Sequence, residues 1–481
     1  MSKMMEKLQS FLPRKAYAKI SEDGENTFEI MDAETDEEIG YFSLNENGEL
    51  MRFSFREDTS SGNVSKMEIL NIADKFINTF YPGQKEYELS AILDLNHYMV
   101  VYERRDEKYG LFLHSTGFSV SVHTSGQITG FYLEDEEFEV RYSDMLVTEE
   151  AALEKYVSGL DFDLTIQQFN QEIFKNGDNQ YHLAYSVIER VMDIPAGGSE
   201  STSIIDEQNM ELKIPELKVP ENDIYELIGI TSEYRLLGKQ VEEGKRIEVW
   251  SKSKSFHSFL FDMDEPDNHA INLCFDDRTG VLLQISSGEA YKSEGAEIGL
   301  ESAMKQAVQV MFKLYPNTHE KFRLETPKEA DEFANEETDF AEEMYEEELE
   351  LDDEYIVYEP TYLFYFHLHH KGLQVNQHGS HIGVGRYTGK ITHFHLDIPS
   401  DDLIEKLQLT PVITLQEAKE IYKNCVQIEL RFIREFDENG KSIYSLTYTP
   451  TFPTTVGHVR AIDAVTGKAM YMNVGDAMFL S

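Results

Sequence analysis

The sequence is poor in cysteine and in long apolar runs. Two cysteines, Cys274 and Cys425, occur in 481 residues, too few for a disulfide framework or a cysteine cage around a metal, and we interpret both as small buried residues. No apolar run approaches the roughly 18 residues that a membrane helix requires, and the N-terminal segment MSKMMEKLQSFLPRK lacks the apolar core of a signal peptide. These absences predict a soluble cytoplasmic protein.

Basic residues are also scarce. The chain has 43 lysines and arginines against 89 aspartates and glutamates, which gives a formal net charge of −46. A surface of this sign repels a phosphate backbone, so nucleic acid and anionic membranes are not expected partners. Hydrophobic residues make up 41% of the chain, which is enough for ordinary globular cores without disulfides or metals.

An internal duplication is the main positive signal. A helical pattern over Lys66–Phe80 ends in Tyr81-Pro82, and a second one over Leu300–Leu314 ends in Tyr315-Pro316, 234 positions later. Downstream, residues 110–133 align with residues 372–396. Further matched positions are Gly126 with Gly389, Ile128 with Ile391, and Phe131 with Phe394. A repeat of this length predicts two copies of one structural unit.

Each copy combines one apolar helix face with alternating strands. In the two helices the apolar residues follow the spacing i, i+3, i+4, i+7, which is typical of a helix lying on a sheet. Alternating strand patterns follow at 98–103, 111–122 and 128–133, and again at 362–369, 373–384 and 391–396. The sequence therefore predicts an α+β protein of two tandem similar domains, each with helices packed on an antiparallel sheet.

Composition places the boundaries of these domains. We predict a first repeat domain at 1–195, a linker at 196–220 that lacks a sustained apolar period, and a second repeat domain at 221–481. The second domain carries an acidic insertion near 325–355, where residues 329–354 include 15 acidic residues among 26 and no basic one. Such a run is usually solvated, so the sequence predicts disorder or a frayed helix there.

The arrangement resembles a known family. The helix ending in Tyr-Pro, the strand-turn-strand runs 120–131 and 382–394, and the closing turn of residues 461–467 (AIDAVTG) are similar to the YcdB/YcdC-type repeated domain of Gram-positive bacteria, which is similar in outline to PepSY domains. The resemblance implies a binding or inhibitory role, since PepSY modules are associated with peptidase propeptides and envelope proteins. This chain departs from that pattern in having no export signal and no Asp-x-x-Thr-Gly turn at the end of its first copy.

Histidines provide one candidate site. Seven of the 15 histidines fall between His367 and His395. His367 and His369 lie two apart in one predicted strand, and His393 and His395 lie two apart in another, so each pair projects from one face. Neutral imidazoles beside the carboxylate of Asp397 would suit Zn²⁺. His370, His378 and His381 add further donors nearby.

The alternative is that these histidines are exposed positions of a half-solvated sheet. In the first copy, Gly130 and Tyr132 take the places of His393 and His395, so a metal site would belong to the second copy alone. No helical His-Glu-x-x-His motif accompanies the pairs. The glycine-rich run 383–389 lacks the lysine and following helix of a phosphate loop, which argues against a nucleotide site.

Three functional hypotheses remain from the sequence. The first is a non-enzymatic intracellular binding or regulatory protein with no cofactor, which contacts an unknown protein or peptide through its sheet faces or the groove between copies, with Tyr81 and Tyr315 as residues of interest. The second is a zinc-dependent protein that uses His367, His369, His393 and His395. The third is a structural duplication that self-associates as a homo-oligomer.

Overall fold

The structure is a computed structural model of the chain. It describes residues 2–21, 26–56, 62, 64–83, 85–94, 97–134, 136–198, 211–253, 259–264, 266–267, 269–289, 295–326, 359–455, 457–472 and 478–479. The predicted acidic insertion lies almost wholly outside these residues. Among the described residues, no helix is both long enough and apolar enough to cross a bilayer.

The first unit begins with helix α1 (Ser2–Leu8) and a 3-10 turn (Gln9–Phe11). Its sheet is built from β1 (Ala16–Ile20), β2 (Thr27–Asp32), β3 (Glu38–Leu44), β4 (Leu50–Phe55), β5 (Tyr87–Asp94), β6 (Tyr98–Arg105), β7 (Phe112–Val122) and β8 (Ile128–Leu133), with helix α2 (Lys66–Phe80) between β4 and β5. A closing segment follows, which comprises β9 (Phe138–Arg141), α3 (Glu149–Ser158), β10 (Leu160–Gln168), β11 (Tyr181–Glu189) and β12 (Ile194–Pro195).

The second unit repeats this order. It comprises β13 (Glu211–Lys213), α4 (Ile224–Leu227), β14 (Arg235–Glu242), β15 (Lys245–Ser251), β16 (Ala270–Asp276), β17 (Leu282–Ser287), α5 (Leu300–Leu314), α6 (Thr318–Lys321), β18 (Phe322–Glu325), β19 (Thr361–His370), β20 (Leu373–Gly385) and β21 (Ile391–Asp397). Its closing segment comprises α7 (Asp401–Ile404), α8 (Leu415–Cys425), β22 (Gln427–Phe436), β23 (Ser442–Thr451), β24 (Val459–Asp463), β25 (Ala469–Tyr471) and β26 (Met478–Phe479).

The two sheets have the same strand order. The first runs β1-β2-β3-β4-β8-β7-β6-β5, and the second runs β14-β15-β16-β17-β21-β20-β19-β18, with every one of these neighbours antiparallel. Helices α2 and α5 pack on the same face of their sheets, within two separate cores. The predicted α+β class, with two similar units of helix on antiparallel sheet, is confirmed.

The repeated helix is fixed at both ends. Ser65 and Glu68 form a capping box at the start of α2, because each side chain accepts a hydrogen bond from the backbone of the other. Proline follows Tyr81 and ends the helix. The ring of Tyr81 is only 6% exposed and its hydroxyl donates to the carbonyl of Leu50. Tyr81 therefore belongs to the scaffold, and Tyr315 likewise packs against a core ring, that of Phe322.

The closing segments of the two units pair with each other. Strand β10 lies parallel to β20, and β11 lies antiparallel to β24. In the other direction, β9 and β12 both pair with β23. The β10–β11 hairpin of the first unit thus joins the sheet of the second. In the β22–β23 hairpin of the second unit, β9 and β12 of the first unit lie along the edge of β23 that β22 leaves open.

A third core lies where these segments meet. Nine of its fully buried residues come from the first half of the chain and twelve from the second. At its centre, Tyr156 of α3 and Tyr422 of α8 are both 0% exposed, and their hydroxyl oxygens lie 3.2 Å apart. The two tyrosines occupy equivalent positions, since Thr148 and Thr414 cap their helices at the same spacing. The domain boundary at 196–220 stays a prediction, but the two halves share this core.

Asp463, in the turn after β24, adds a further contact between the two halves of the chain. Its carboxylate accepts hydrogen bonds from the backbone of Val465 and Thr466, as expected for aspartate at a turn. It also lies 2.7 Å from Nδ1 of His182 on β11. Burial opposes ionisation, but the bonds from His182 and Thr466 outweigh it and lower the pKa of Asp463 to about 2. The turn is thereby tied to the hairpin of the other half.

Candidate functional site

The outer face of the first sheet, opposite helix α2, forms a hollow of about 670 Å³. We call it the first-sheet hollow and define it by its lining. The lining residues are Tyr41, Arg52, Phe53, Ser54, His97, Met99, Ser119, Ser121, His123, Thr129, Gly130, Phe131 and Tyr132. A volume of this size falls in the range of ligand sites in proteins.

Small residues on neighbouring strands make the floor of the hollow. Ser54 of β4 and Ser121 of β7 lie directly opposite Gly130 of β8 from its two sides. The side chains on the flanks are larger, and Tyr41 and Tyr132 are 42% and 39% exposed. A row of small side chains between aromatic ones leaves a depression, because side chains stand roughly perpendicular to a sheet.

The electrostatic character of the hollow differs from that of the protein. None of its thirteen lining residues is acidic, although the chain has 89 acidic residues. The guanidinium of Arg52 lies over the ring of Tyr132, with its central carbon 5.2 Å from the ring centroid. No carboxylate in the described part of the chain lies within ion-pair distance of Arg52.

A smaller hollow of about 190 Å³ adjoins the first and shares Met99, Ser119 and Tyr132 with it. Two carboxylates line this smaller hollow, and both are already paired. Glu103 contacts Nδ1 of His114 at 2.9 Å, and Glu134 forms an ion pair with Arg434 of β22. Arg52 therefore carries the uncompensated charge of the combined surface, as far as the described residues show.

The corresponding face of the second sheet carries other groups at the positions that form the hollow in the first sheet. Strand register equates Ser54 with Ser286, because these residues lie opposite Gly130 and His393 respectively. The same register places Asn272 where the first unit has Tyr41. The amide of Asn272 donates to the carbonyl of Asp262, so chain from the β15–β16 connection covers this part of the face.

Three histidines of β20 and β21 lie next to one another on that face. The ring centroid of His381 lies 5.4 Å from that of His395 and 5.7 Å from that of His393. A side chain at Gly383 would place its Cβ 2.1 Å from an atom of the His393 ring, so glycine is required for the ring to lie across β20. We call His381, His393 and His395 the histidine cluster.

The two histidine pairs proposed from the sequence do not meet. His367 lies 3.1 Å from a carboxylate oxygen of Glu325, and His369 lies 3.0 Å from one of Glu211. A register irregularity separates His367 from His369 within β19, and the two histidines contact carboxylates of β18 and β13 instead. No group of three or more histidine, cysteine or acidic side chains in the described ranges is placed to hold a metal ion. The zinc hypothesis stays a prediction.

The glycine-rich run 383–389 binds a carboxylate of the chain itself. Glu359 accepts hydrogen bonds from the backbone of Tyr387 at 2.8 Å and of Thr388 at 2.7 Å, and from the hydroxyl of Thr388 at 2.7 Å. Successive backbone N–H groups in a turn form an anion site. Here that site is occupied by an internal side chain.

The duplicated sheets correspond to a catalogued repeat. The profile of the YcdB, YcdC repeated domain matches residues 12–135 and 218–397. The chain belongs to this family. The matched ranges cover the two sheets with helices α2 and α5, and they leave the two closing segments outside.

Relatives with the repeated domain include two proteins of Bacillus subtilis (strain 168). The uncharacterised protein YcdB is 25% identical over 91% of this chain and 89% of its own length. The uncharacterised protein YcdC is 22% identical over 80% of this chain and 78% of its own length. Among solved structures, the Bacillus megaterium YpeB C-terminal domain is 12% identical, with a TM-score of 0.26 over 52% of this chain and 93% of that one.

Titration of His381 and His393 should affect the stability of the second repeated domain. Burial lowers the pKa of His381, and the neighbouring His395 lowers it further. Burial likewise lowers the pKa of His393, with a contribution from His381. The unfolded value is about 6.5, so neutral His381 and His393 stabilise the fold above that pH. This stabilisation is lost as the pH falls through 6.5 towards the folded values.

We expect His381→Asn to remove part of this pH dependence. The free energy of unfolding of the parent protein falls between pH 7.5 and pH 5.5, and that of the variant should fall less. The difference between the two should stay below about 1 kcal/mol, because solvent screens partly exposed groups. Urea unfolding at the two pH values measures the difference. Tyr365→Phe, whose ring lies 6.3 Å from that of His381, is the matched control and should keep the parent pH dependence. Equal dependence in His381→Asn and the parent would contradict the expectation.

Proposed function

We propose that this protein is a non-enzymatic binding protein, which holds an extended segment of a protein partner on the outer face of its first sheet. The observation that carries the proposal is the first-sheet hollow itself, because in the second copy of the repeat Asn272 is buried and the histidine cluster takes the equivalent positions. A shared scaffold with one open face favours a contact surface at that face over a purely structural role for both copies.

The chemistry of the hollow suits a peptide chain. Tyr41 and Tyr132 provide rigid aromatic walls, which give large contact area at low entropic cost. Hydroxyl groups on the floor can donate to and accept from peptide groups. The smaller hollow extends the surface across β6 and β7, so the binding surface is elongated and fits an extended segment better than a compact small molecule.

A matched pair of substitutions tests the proposal. A random 12-residue peptide library displayed on phage is selected against the full chain, and selected peptides are measured by calorimetry. Ser54→Trp fills the floor of the first-sheet hollow, and it should weaken binding at least about tenfold, equivalent to about 1.4 kcal/mol. Ser286→Trp places the same side chain at the equivalent position of the second sheet and should change affinity less than about twofold.

Thermal unfolding of both variants shows whether they fold as the parent does. Selection of no peptide, or equal affinity of the Ser54→Trp variant and the parent, would overturn the proposed function. A loss of affinity in Ser286→Trp alone would also overturn it, since it would move the binding surface to the second sheet.

A further inference from the structure

We infer that the partner segment is acidic and that a carboxylate of this segment binds Arg52. This inference rests on the proposed function and names the chemistry of the ligand at the same site. The supporting observations are the position of Arg52, the hydroxyl groups beside it and the distribution of charge around the hollow.

The conformation of the Arg52 side chain is restricted in a way that favours binding of an anion. Its stacking on Tyr132 restricts a long side chain that would otherwise lose conformational entropy on binding. The planar guanidinium presents donors in a fixed fork that matches both oxygens of a carboxylate. Arg56, four residues further on, differs in having a carboxylate nearby, with Glu38 at 3.8 Å, and lies outside the lining.

Three hydroxyl groups line the same hollow as this guanidinium. Ser54, Ser119 and Ser121 are half-buried in the lining, and their side chains make no hydrogen bond to another described residue. Register brings them together, since Ser119 faces Tyr132 while Ser54 and Ser121 face Gly130. His97 and His123 also line the hollow. Nδ1 of His123 already accepts a hydrogen bond from the backbone of Ser125, whereas a ring N–H of His97 can donate to an oxygen anion.

Salt screens the repulsion between the net charge of the protein and an acidic segment. The formal charge of −46 repels an acidic segment at long range, but the screening length is about 8 Å at 0.15 M salt. The lining of the hollow contributes a cation and no carboxylate, and the carboxylates beside it are paired: Glu29 with Lys19, Glu103 with His114 and Glu134 with Arg434. The local attraction therefore decides the contact once the segment reaches the sheet.

Two synthetic peptides of the same length, one acidic and one uncharged, serve as probes. One is an acetylated, amidated 12-residue peptide of alternating Ser and Glu, and the other carries Gln in place of every Glu. Binding to the full chain is followed by NMR of ¹³C-labelled methionine methyl groups, because Met99 lines the hollow. The Met99→Leu variant assigns the signal among the 17 methionines.

We expect the Glu peptide to shift the Met99 signal in a saturable manner and to bind at least about fivefold more tightly than the Gln peptide. Arg52→Gln should remove this preference, and Arg56→Gln should retain it. Equal binding of both peptides in the parent, an unchanged preference in Arg52→Gln, or no shift with either peptide would overturn the inference.

Further controls separate this inference from the proposed function. If Ser54→Trp abolishes binding of selected peptides while Arg52→Gln does not, the hollow binds a segment through other chemistry, and the inference alone fails. If sodium acetate or inorganic phosphate displaces the Glu peptide at an affinity equal to that of the peptide, the site takes a free small anion, and the acidic segment is excluded as its ligand.

Discussion

Replacement of Tyr422 by alanine should lower the free energy of unfolding by about 3–5 kcal/mol, the usual cost of removing a large buried ring. Tyr422 has no exposed surface, and its ring contacts those of Phe162 and Phe452 at centroid distances of 5.7 and 5.8 Å. The loss should affect the whole chain, because both halves contribute to the core around this ring. Equilibrium urea unfolding followed by far-ultraviolet circular dichroism measures it.

Tyr422→Phe is the matched control for this experiment. It keeps the ring and removes the hydroxyl that lies 3.2 Å from that of Tyr156, so we expect a loss of about 1 kcal/mol. Fluorescence of Trp250, the single tryptophan, reports on the second sheet and should follow the same transition as the dichroism. A loss below about 1 kcal/mol in Tyr422→Ala, or a Trp250 transition that does not move, would show that the shared core does not couple the halves.

Cleavage between the two halves should leave them bound to each other. A protease recognition site inserted within residues 199–210 allows the folded protein to be cut after purification. We expect the fragments to elute together from a size-exclusion column at the size of the 55.5 kDa chain, since β9, β10, β11 and β12 pair with strands of the other fragment. Separation of the fragments requires denaturant.

The fragments alone provide the contrasting case. Residues 1–195 expressed without the second half would expose the apolar residues that this half gives to the third core, together with unpaired strand edges, and should aggregate or lose strand structure. Fragments that separate after cleavage in native buffer, each with its full strand content, would contradict this prediction and would support the two independent domains that the sequence suggests.

Local patterns in the sequence predicted the elements that depend on local chemistry. Helices α2 and α5 have the predicted bounds because their apolar period and the following proline act over a few residues. The repeated sheet was predicted because duplicated turns fix duplicated hairpins. The exchange of closing segments was not predicted, since pairing of β11 with β24 joins residues far apart in sequence and no local signal encodes it.

In the candidate sites, too, local patterns were predictable from the sequence and contacts between distant strands were not. Alternation correctly placed His393 and His395 on one face, but their neighbour across the sheet is His381, because strand register decides which residues face each other. His367 and His369 lie on β19 and contact Glu325 and Glu211 instead. The first-sheet hollow was missed because serines and a glycine at alternate positions have the pattern of an ordinary solvent-facing strand. The change from Gly130 and Tyr132 to His393 and His395 marked that face without showing its shape.

The exchanged hairpins impose an order on biosynthesis. Strand β11 ends at Glu189, and its partner β24 is complete only at Asp463. At about 5–20 residues per second, the ribosome needs on the order of 15–55 s to make the intervening chain. Throughout this interval the nascent first half carries a hairpin whose β11 edge lacks its partner, and its sheet still lacks β26. Chaperone binding or slow formation of the hairpin would protect that edge from wrong pairing.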